Sequence, residues 1–219
     1  MSVSTSQDHV GEDGIWCQVS PRSPGVAPEP RRALFLDRDG VLVEDPGYLH
    51  RPEELRLMPG AGELIAAANR RGCAVVLVTN QSGIGRGYYG WPDFAATQER
   101  LEQALAAQGG FLDMVLACAF HPEAMPPYRH PDHPCRKPRP GMLLRAAARL
   151  GLDRSGSWIV GDRAADLAAG RAAGLAGGIL VASRPGRAER DASTAMRGRD
   201  FLVQVTECLP ATLGALCLE

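Results

Sequence analysis

Short, almost continuous apolar runs alternate with helical patterns along most of the chain. The apolar runs span residues 33–36, 73–78, 114–117, 158–160 and 178–181. Between them, apolar residues recur at helical spacing over residues 61–71, 92–108, 141–150 and 164–173. Continuous apolar strands separated by helices are typical of a parallel sheet that is covered on both faces. The pattern therefore predicts a doubly wound, Rossmann-like α/β domain.

The two ends of the chain lack this regularity. Residues 1–31 mix Ser, Pro, Gly and charged residues without a period, and they predict a disordered leader ahead of one domain over residues 32–219. Residues 184–200 have a similar composition and predict a mobile loop, whereas residues 201–219 predict a last strand and a short helix. The first residues also lack the basic flank and the apolar stretch of a signal peptide.

The charge balance limits the partners that the chain can attract. The 219 residues include 24 basic and 25 acidic side chains, for a formal net charge of −1. No overall positive field is therefore available for nucleic acid or an anionic membrane. No apolar run approaches the roughly 20 residues that a membrane-spanning helix needs. We expect a cytoplasmic protein without a nucleic-acid or membrane partner, and we expect it to be a monomer.

Polar residues directly follow several of the predicted strands. They are Asp37 and Asp39, the run Thr79 to Ser82, and Asp162. Ligands bind beyond the carboxyl ends of the strands in doubly wound folds, so these side chains should converge on one site. Lys137 is the one lysine among the 24 basic residues. Because Arg supplies the other basic charges, a chemical role for Lys137 is favoured over a position on the surface.

These residue types share one chemistry. Asp37 and Asp39 are two residues apart at a strand exit and so point to the same side, and with Asp162 they can hold a hard divalent cation such as Mg²⁺. The hydroxyl and backbone amides that follow the second strand can donate to a phosphoryl group, and Lys137 can offset the crowded anions. The implied reaction is phosphoryl transfer to a carboxylate nucleophile, with no cofactor beyond the metal.

A purely structural interpretation exists for each motif. An Asp-x-Asp pair is common in turns, Thr-Asn is an ordinary turn sequence, and Gly-Asp often caps a helix. Three such motifs in order, each at a strand end, together with Lys137 in a loop, favour a functional site. The structural interpretation is kept for Asp166, which can be no more than an acid in the first turn of a helix.

Four strings resemble the haloacid dehalogenase superfamily of phosphatases, and within it the branch of heptose bisphosphate and histidinol phosphatases. The strings are FLDRDGVL (35–42), VTNQSGIGRG (78–87), CRKPRPGM (135–142) and VGDRAADLAAG (160–170). The resemblance covers about residues 33–182, and it implies only small capping elements and a small phosphorylated substrate. It also implies that Asp37 is the nucleophile and that Asp39 is the proton donor and acceptor. Mg²⁺ would be bound by the carboxylates of Asp37 and Asp162 and by the backbone carbonyl of Asp39.

The resemblance also implies a set of substrate-binding residues. Thr79 and Asn80 would hold the phosphoryl oxygens, and Lys137 would steady the nucleophile. Arg163 stands where the family usually has Lys, which keeps the charge but not the geometry. The full set is Asp45, Gly47, Tyr48, Thr79, Asn80, Gln81, Ser82, Arg136, Lys137 and Arg163.

The sequence departs from the family most in a window rich in Cys and His. Heptose phosphatases carry a zinc loop of the form Cys-x-His followed by Cys-x-Cys, but here Phe120 stands at the expected His position and His133 replaces a Cys. The ligands that remain for a tetrahedral, structural zinc site in the loop 118–135 are Cys118, His121, His133 and Cys135. Such a zinc would order the loop that presents Lys137, with His130 as a substitute ligand. The alternative is that the metal has been lost and that packing holds the loop.

Other functions stay open at this point. Histidinol phosphate is the second candidate substrate within the same branch. A nucleic-acid 3′-phosphatase would need a basic groove, which the near-neutral charge disfavours. A non-catalytic zinc or interaction module would have no use for acids at successive strand ends.

Overall fold

The computed structural model describes residues 9–26, 29–181 and 186–216, and strands and helices alternate through them. The strands are β1 (Ile15–Val19), β2 (Arg31–Leu36), β3 (Ala74–Asn80), β4 (Met114–Cys118), β5 (Leu152–Gly161), β6 (Gly177–Val181) and β7 (Leu202–Thr206). The helices are α1 (Ala61–Arg70), α2 (Ser82–Gly85), α3 (Trp91–Ala106), α4 (Gly141–Leu150), α5 (Ala164–Ala172), α6 (Arg187–Thr194) and α7 (Pro210–Ala215). A short 3₁₀ turn lies at Pro52–Glu54.

The described strands form one sheet with the order β1-β4-β3-β2-β5-β6-β7. Strands β2 to β7 all run parallel to one another, and the edge strand β1 is antiparallel to β4. The chain adds β3 and β4 on one side of β2 and then crosses to add β5, β6 and β7 on the other. The carboxyl ends of β2, β3 and β5 therefore meet at a topological switch point, where doubly wound folds bind ligands. The predicted fold class is confirmed.

The alternation of side chains along each strand builds a core on both faces of the sheet. In β2, Leu34 and Leu36 pack in one cluster with residues of α1 and α3, whereas Ala33 and Phe35 pack in the other cluster with residues of α4 and α5. Both faces being apolar explains why the strands appear in the sequence as continuous apolar runs.

Helix boundaries follow local chemistry. Pro92 lies in the first turn of α3, and the side chain of Asp93 accepts a hydrogen bond from the backbone N–H of Gly90 at 2.8 Å. Helix α4 ends at Gly151, whose φ of 64° is left-handed and favours glycine. The chain then turns directly into β5.

The prediction of a disordered leader over residues 1–31 is wrong for strand β1. Ile15 and Trp16 are buried, with exposed fractions of 0% and 1%. The Trp16 ring stacks on Trp91 at 5.6 Å and meets the edge of Phe94 at 5.2 Å. The strand is stabilised by pairing with β4 and by this aromatic packing. Its flanking residues are rich in Pro, Gly and Ser, so the local sequence does not indicate a strand. Residues 1–8 and 27–28 of the predicted leader lie outside the described residues.

The prediction of a mobile loop over residues 184–200 is also wrong in part, because residues 187–194 form α6. Residues 184 and 185 lie outside the described part of the chain. The predicted last strand and helix are confirmed as β7 and α7. Within the described ranges, no helix is both long enough and apolar enough to cross a membrane.

Candidate active site

The carboxyl ends of the central strands open into a cavity of about 350 Å³. Its lining includes every residue that the sequence predicts for substrate binding, together with the predicted catalytic pair. The lining residues are Asp37, Asp39, Asp45, Gly47, Tyr48, Thr79, Asn80, Gln81, Ser82, Tyr89, Arg136, Lys137, Arg163, Ala165 and Asp166. The convergence expected from strand ends is thus present in the structure.

Lys137 is a buried cation between two carboxylates. Its Nζ lies 2.8 Å from Asp37 Oδ1 and 2.6 Å from Asp166 Oδ1, and it donates to the Val78 carbonyl at 2.7 Å. Only 4% of the residue is exposed. Burial alone would lower the pKa of Lys137, but Asp166 and Asp37 together raise it above its ordinary value. The lysine therefore remains charged and fixes the carboxylate that comes directly after β2.

The backbone around Lys137 is fixed by Asn80 at the end of β3. The Asn80 side chain donates to the Lys137 carbonyl at 3.0 Å and accepts from the Lys137 N–H at 3.1 Å. The side-chain amide that the family resemblance places on the phosphoryl group is thus used to hold the loop that carries Lys137.

Three carboxylates crowd together at this end of the sheet, and two of them, Asp37 and Asp166, line the cavity. Asp37, Asp162 and Asp166 offer oxygens that all lie within 4.8 Å of one another. Asp162 Oδ1 is buried without a hydrogen-bond partner. Burial, and then the charges of Asp37 and Asp166, raise the pKa of Asp162 to about 7. A buried oxygen that has no hydrogen bond and has only the Arg163 Nε at 4.0 Å as an ion-pair partner, in a cluster of hard ligands, fits a divalent cation such as Mg²⁺.

Asp166 has a larger role than the sequence suggests. Its Oδ2 accepts from the Arg163 backbone N–H at 3.1 Å, as expected of an acid in the first turn of α5. The other oxygen of the same carboxylate pairs with Lys137 and faces the acidic cluster. The structural explanation of Asp166 is therefore incomplete. Asp162 lies just before the N-cap Arg163 and Asp166 lies in the first turn of α5, and this short spacing was the signal available in the sequence.

The turn after β2 is tightly packed against Asp162. Gly40 has a left-handed φ of 79°, and a Cβ at this position would lie 2.6 Å from Asp162 Oδ2. Glycine is therefore required here both for the backbone conformation and for the close approach of the acidic cluster.

A second network holds Asp39. Arg38 donates to its two carboxylate oxygens at 2.9 and 3.1 Å, and Gln81 Nε2 donates to Oδ2 at 3.0 Å. Arg38 is itself buried and also donates to the Leu49 carbonyl at 3.1 Å. Burial raises the pKa of Asp39, which Arg38 opposes. Asp39 is thus held beside Asp37 by Arg38 and Gln81, whereas Asp37 is held by Lys137.

The sequence did not single out Arg38 or Tyr89. The Tyr89 hydroxyl donates to Gln81 Oε1 at 2.5 Å, and Gln81 Nε2 also donates to Thr79 Oγ1 at 2.8 Å. These contacts orient the amide that reaches Asp39. No sequence pattern distinguishes Tyr89 from its neighbour Tyr88, which is exposed.

The loop after β2 forms one wall of the cavity. The Asp45 side chain accepts from the Gly47 N–H at 2.9 Å, which closes a tight turn. Tyr48 then adopts a φ of 58°, a left-handed conformation that costs free energy for a residue with a Cβ. Such strain is common at ligand sites. The Tyr48 ring is 43% exposed and stands against Tyr88 at the mouth.

The predicted tetrahedral zinc site is not formed. Among the described residues, three metal-ligating side chains do lie close enough together to share an ion, and they are Asp37, Asp162 and Asp166. The four predicted zinc ligands, all of them described, do not converge in this way: Cys118, His121, His133 and Cys135. The physical reason is that His133 stacks on the ring of Phe120, whereas His121 turns toward Arg86. The arrangement of these side chains therefore does not support the predicted zinc site.

Comparisons with known proteins agree with this geometry. The sequence profile of the family described as "HAD-hyrolase-like" matches residues 134–208. The chain is 47% identical to a D-glycero-beta-D-manno-heptose-1,7-bisphosphate 7-phosphatase of Mesorhizobium japonicum over 211 residues, which are 94% of this chain and 96% of that protein.

Two crystal structures extend the likeness to the fold. A HAD-like phosphatase from Mesorhizobium loti superposes with a TM-score of 0.83 at 44% identity, over 95% of this chain and 93% of that one. The D,D-heptose 1,7-bisphosphate phosphatase of B. bronchiseptica, in complex with magnesium and phosphate, superposes with a TM-score of 0.71 at 32% identity, over 85% and 98%. The chain therefore belongs to the haloacid dehalogenase superfamily of phosphatases, in the branch that contains the heptose bisphosphate phosphatases.

Proposed function

We propose that the protein is a Mg²⁺-dependent phosphatase that removes the 7-phosphate from D-glycero-β-D-manno-heptose 1,7-bisphosphate. The observation that carries this proposal is the arrangement of Asp37, which faces the cavity, is held by the buried Lys137 and lies beside Asp162 and Asp166. The substrate is inferred from the name of the Mesorhizobium japonicum relative, which aligns with almost the whole chain.

In the first step, the Asp37 carboxylate attacks phosphorus and the ester P–O bond breaks. The electron pair of that bond goes to the sugar oxygen, which takes a proton from Asp39. The products are the free alcohol and an aspartyl phosphate on Asp37. The raised pKa of Asp39 suits this role, because the carboxyl must carry a proton when substrate arrives.

In the second step, a water molecule attacks the phosphorus of the aspartyl phosphate. Asp39, now ionised, takes a proton from this water, and the P–O bond to Asp37 breaks. Inorganic phosphate leaves, and both carboxyl groups return to their starting protonation states. Lys137 stays charged throughout and compensates the negative charge that moves between the phosphoryl group and Asp37.

Mg²⁺, when bound, would neutralise the phosphoryl oxygens and the acidic cluster. The residues that would hold it are Asp37, Asp162 and the backbone carbonyl of Asp39, with Asp166 beside them. The Thr79 hydroxyl lines the same cavity and would donate to a phosphoryl oxygen.

The rest of the substrate would contact the wall and mouth of the cavity. Arg136 and Arg163 line it in addition to Lys137, and these cations suit a substrate with a second phosphate. Gly47, Tyr48 and Ser82 supply the neutral part of the lining. A small polar sugar fits such a cavity better than an extended nucleic-acid strand.

The test is a phosphate-release screen in the presence of Mg²⁺. Both anomers of heptose 1,7-bisphosphate are compared with histidinol phosphate and simple sugar monophosphates, and Asp37→Asn is the matched inactive control. We expect the highest kcat/KM for the β anomer and release of the 7-phosphate only, read by ³¹P NMR. A higher kcat/KM for histidinol phosphate would contradict the proposed substrate, and release by Asp37→Asn at the wild-type rate would contradict the mechanism.

A further inference from the structure

A cluster of aromatic rings occupies the loop in which the family resemblance places a zinc ion. Phe120 and His133 stack face to face, with ring centroids 3.8 Å apart and planes within 2° of parallel. Tyr128 and His130 meet the Phe120 ring edge-on at 5.4 and 6.3 Å. These four half-buried side chains, called here the Phe120 cluster, pack against one another in the loop.

We propose that the Phe120 cluster, supported by strand β1, takes the place of a metal ion in fixing the loop that brings Arg136 into the cavity. Phe120 and Gly14 are then positioning residues of the phosphatase site, although neither touches the substrate. The proposal rests on how the side chains of this loop are used and on what packs against them.

The histidines of the loop are already engaged in other contacts. His133 Nδ1 accepts from the Cys135 N–H at 3.2 Å, and its ring face is covered by Phe120. His121 Nδ1 accepts from the Glu123 N–H at 3.0 Å, and Arg86 Nη2 lies 3.2 Å from its Nε2. Bringing both histidines to the cysteines would break the stack and place a metal ion near a guanidinium. The residues present therefore do not fit a tetrahedral zinc site.

The N-terminal segment packs against the outside of the cluster. Gly14 has a left-handed φ of 73°, and a Cβ there would lie 3.2 Å from the Phe120 ring and 3.3 Å from the Tyr128 ring. The Tyr128 hydroxyl accepts from Trp91 Nε1 at 2.8 Å, and Trp91 stacks on Trp16 of β1. The residue just before β1 thus closes one side of the cluster, and Trp16 of β1 supports Tyr128 through Trp91.

One hydrogen bond links the cluster to the cavity. Arg136 Nη1 donates to the Phe120 carbonyl at 3.0 Å, so the position of Phe120 sets the position of the guanidinium. Lys137, one residue later, is fixed independently by Asn80, Asp37 and Asp166. Loss of the Phe120 ring should therefore impair the binding of the rest of the substrate through Arg136 and leave the phosphoryl-transfer step intact.

The experiment compares full-length wild type, Phe120→Ala, Phe120→Leu and Phe120→Tyr. The matched control is Phe111→Ala, which removes a half-buried Phe near the amino end of β4, away from the cavity. Each protein is incubated with equimolar zinc, desalted and assayed for zinc content. Phosphate release from heptose 1,7-bisphosphate then gives kcat and KM in excess Mg²⁺, with and without a zinc-selective chelator, and calorimetry gives the Kd of inorganic phosphate.

We expect wild type to retain no stoichiometric zinc and to keep its activity in the chelator. Phe120→Ala should raise KM about tenfold, as expected for one misplaced charged hydrogen bond, with kcat and the phosphate Kd within twofold of wild type. Phe120→Tyr keeps the aromatic ring and should therefore have the KM of wild type. Phe120→Leu keeps most of the side-chain volume but removes the aromatic ring. Its KM should also rise, and it replaces the alanine variant in the test if that variant does not fold. Phe111→Ala should lower the thermal midpoint without changing KM.

One zinc per wild-type chain, or loss of activity in the chelator, would overturn the proposal. An unchanged KM in the folded Phe120→Ala or Phe120→Leu variant would overturn it as well. The kinetic arm depends on the proposed function, but the zinc measurement does not. An inactive wild type without zinc would therefore contradict the substrate assignment and leave the metal-free loop supported.

Discussion

Replacing Lys137 by Met should destabilise the protein and slow phosphoryl transfer together, because one buried cation serves both purposes. The methionine keeps much of the side-chain volume but leaves Asp37 and Asp166 facing each other without a counter-charge. Removing one partner of a buried ion pair costs about 3–5 kcal/mol. For a domain of this size, each kcal/mol lowers the thermal midpoint by about 2–4 °C. We therefore expect a loss of about 6–20 °C in the absence of Mg²⁺.

The rate should also fall, by about 10²–10³-fold, which is the usual cost of removing one preorganised electrostatic contact to a transition state. Mg²⁺ should recover part of the stability, since it neutralises the same carboxylates, but it should recover little of the rate. The assays are thermal denaturation with and without Mg²⁺ and phosphate release at saturating substrate.

A double-mutant cycle isolates the electrostatic origin of these losses. In Lys137→Met, adding Asp166→Asn removes one of the crowded negative charges, so the double variant should be more stable than additivity predicts, by about 1–3 kcal/mol. The control is Arg31→Met, which breaks the pair of Arg31 with the buried Asp113 outside the cavity. It should lower stability and leave kcat unchanged. Additivity within about 0.5 kcal/mol would refute the reasoning.

Four further predictions concern the acids and strand β1. Asp37→Asn should abolish phosphate release while circular dichroism shows an intact fold, because a neutral amide cannot attack phosphorus. Asp162 has its pKa raised to about 7, so it must lose a proton to bind metal, and calorimetry should show the Mg²⁺ affinity falling up to about tenfold per pH unit below 7. Between pH about 4 and 7 the Asp162 carboxyl keeps its proton in the folded protein but loses it in the unfolded chain, where its pKa is ordinary. The metal-free protein should therefore become less stable as the pH rises through this range, which thermal denaturation at several pH values tests. Trp16→Ala should cost about 3–5 kcal/mol in chemical denaturation; a cost below about 1 kcal/mol would mean that β1 contributes little packing.

The central strands and the catalytic end of the sheet were predictable because one physical rule governs both. A parallel strand buried on two faces has to be apolar along its length, so β2 to β4 appear in the sequence as continuous runs. The residue after each run then emerges at the same edge of the sheet, which places Asp37, Thr79 and Asp162 together without further information.

The elements that the sequence concealed are those whose order comes from partners distant along the chain. Strand β1 is short, lies at a sheet edge and follows a segment of turn-forming residues, so its local sequence resembles a leader. Its stability comes from β4, about 100 residues further along the chain, and from Trp91, about 75 residues further along. Helix α6 is polar enough to be taken for a loop, and only one of its residues, Ser193, is buried.

The Cys and His window shows why residue types alone do not define a metal site. The window contains enough ligands for zinc, but a tetrahedral site also needs each ring nitrogen to be free and aimed at one point. Phe120 changes that condition, because it offers no ligand atom and its flat apolar ring stacks on the ring of His133. With Gly14 and Tyr128 closing the other sides, the loop becomes a small aromatic core. Substitutions at ligand positions can thus replace coordination by packing and still deliver Arg136 to the same cavity.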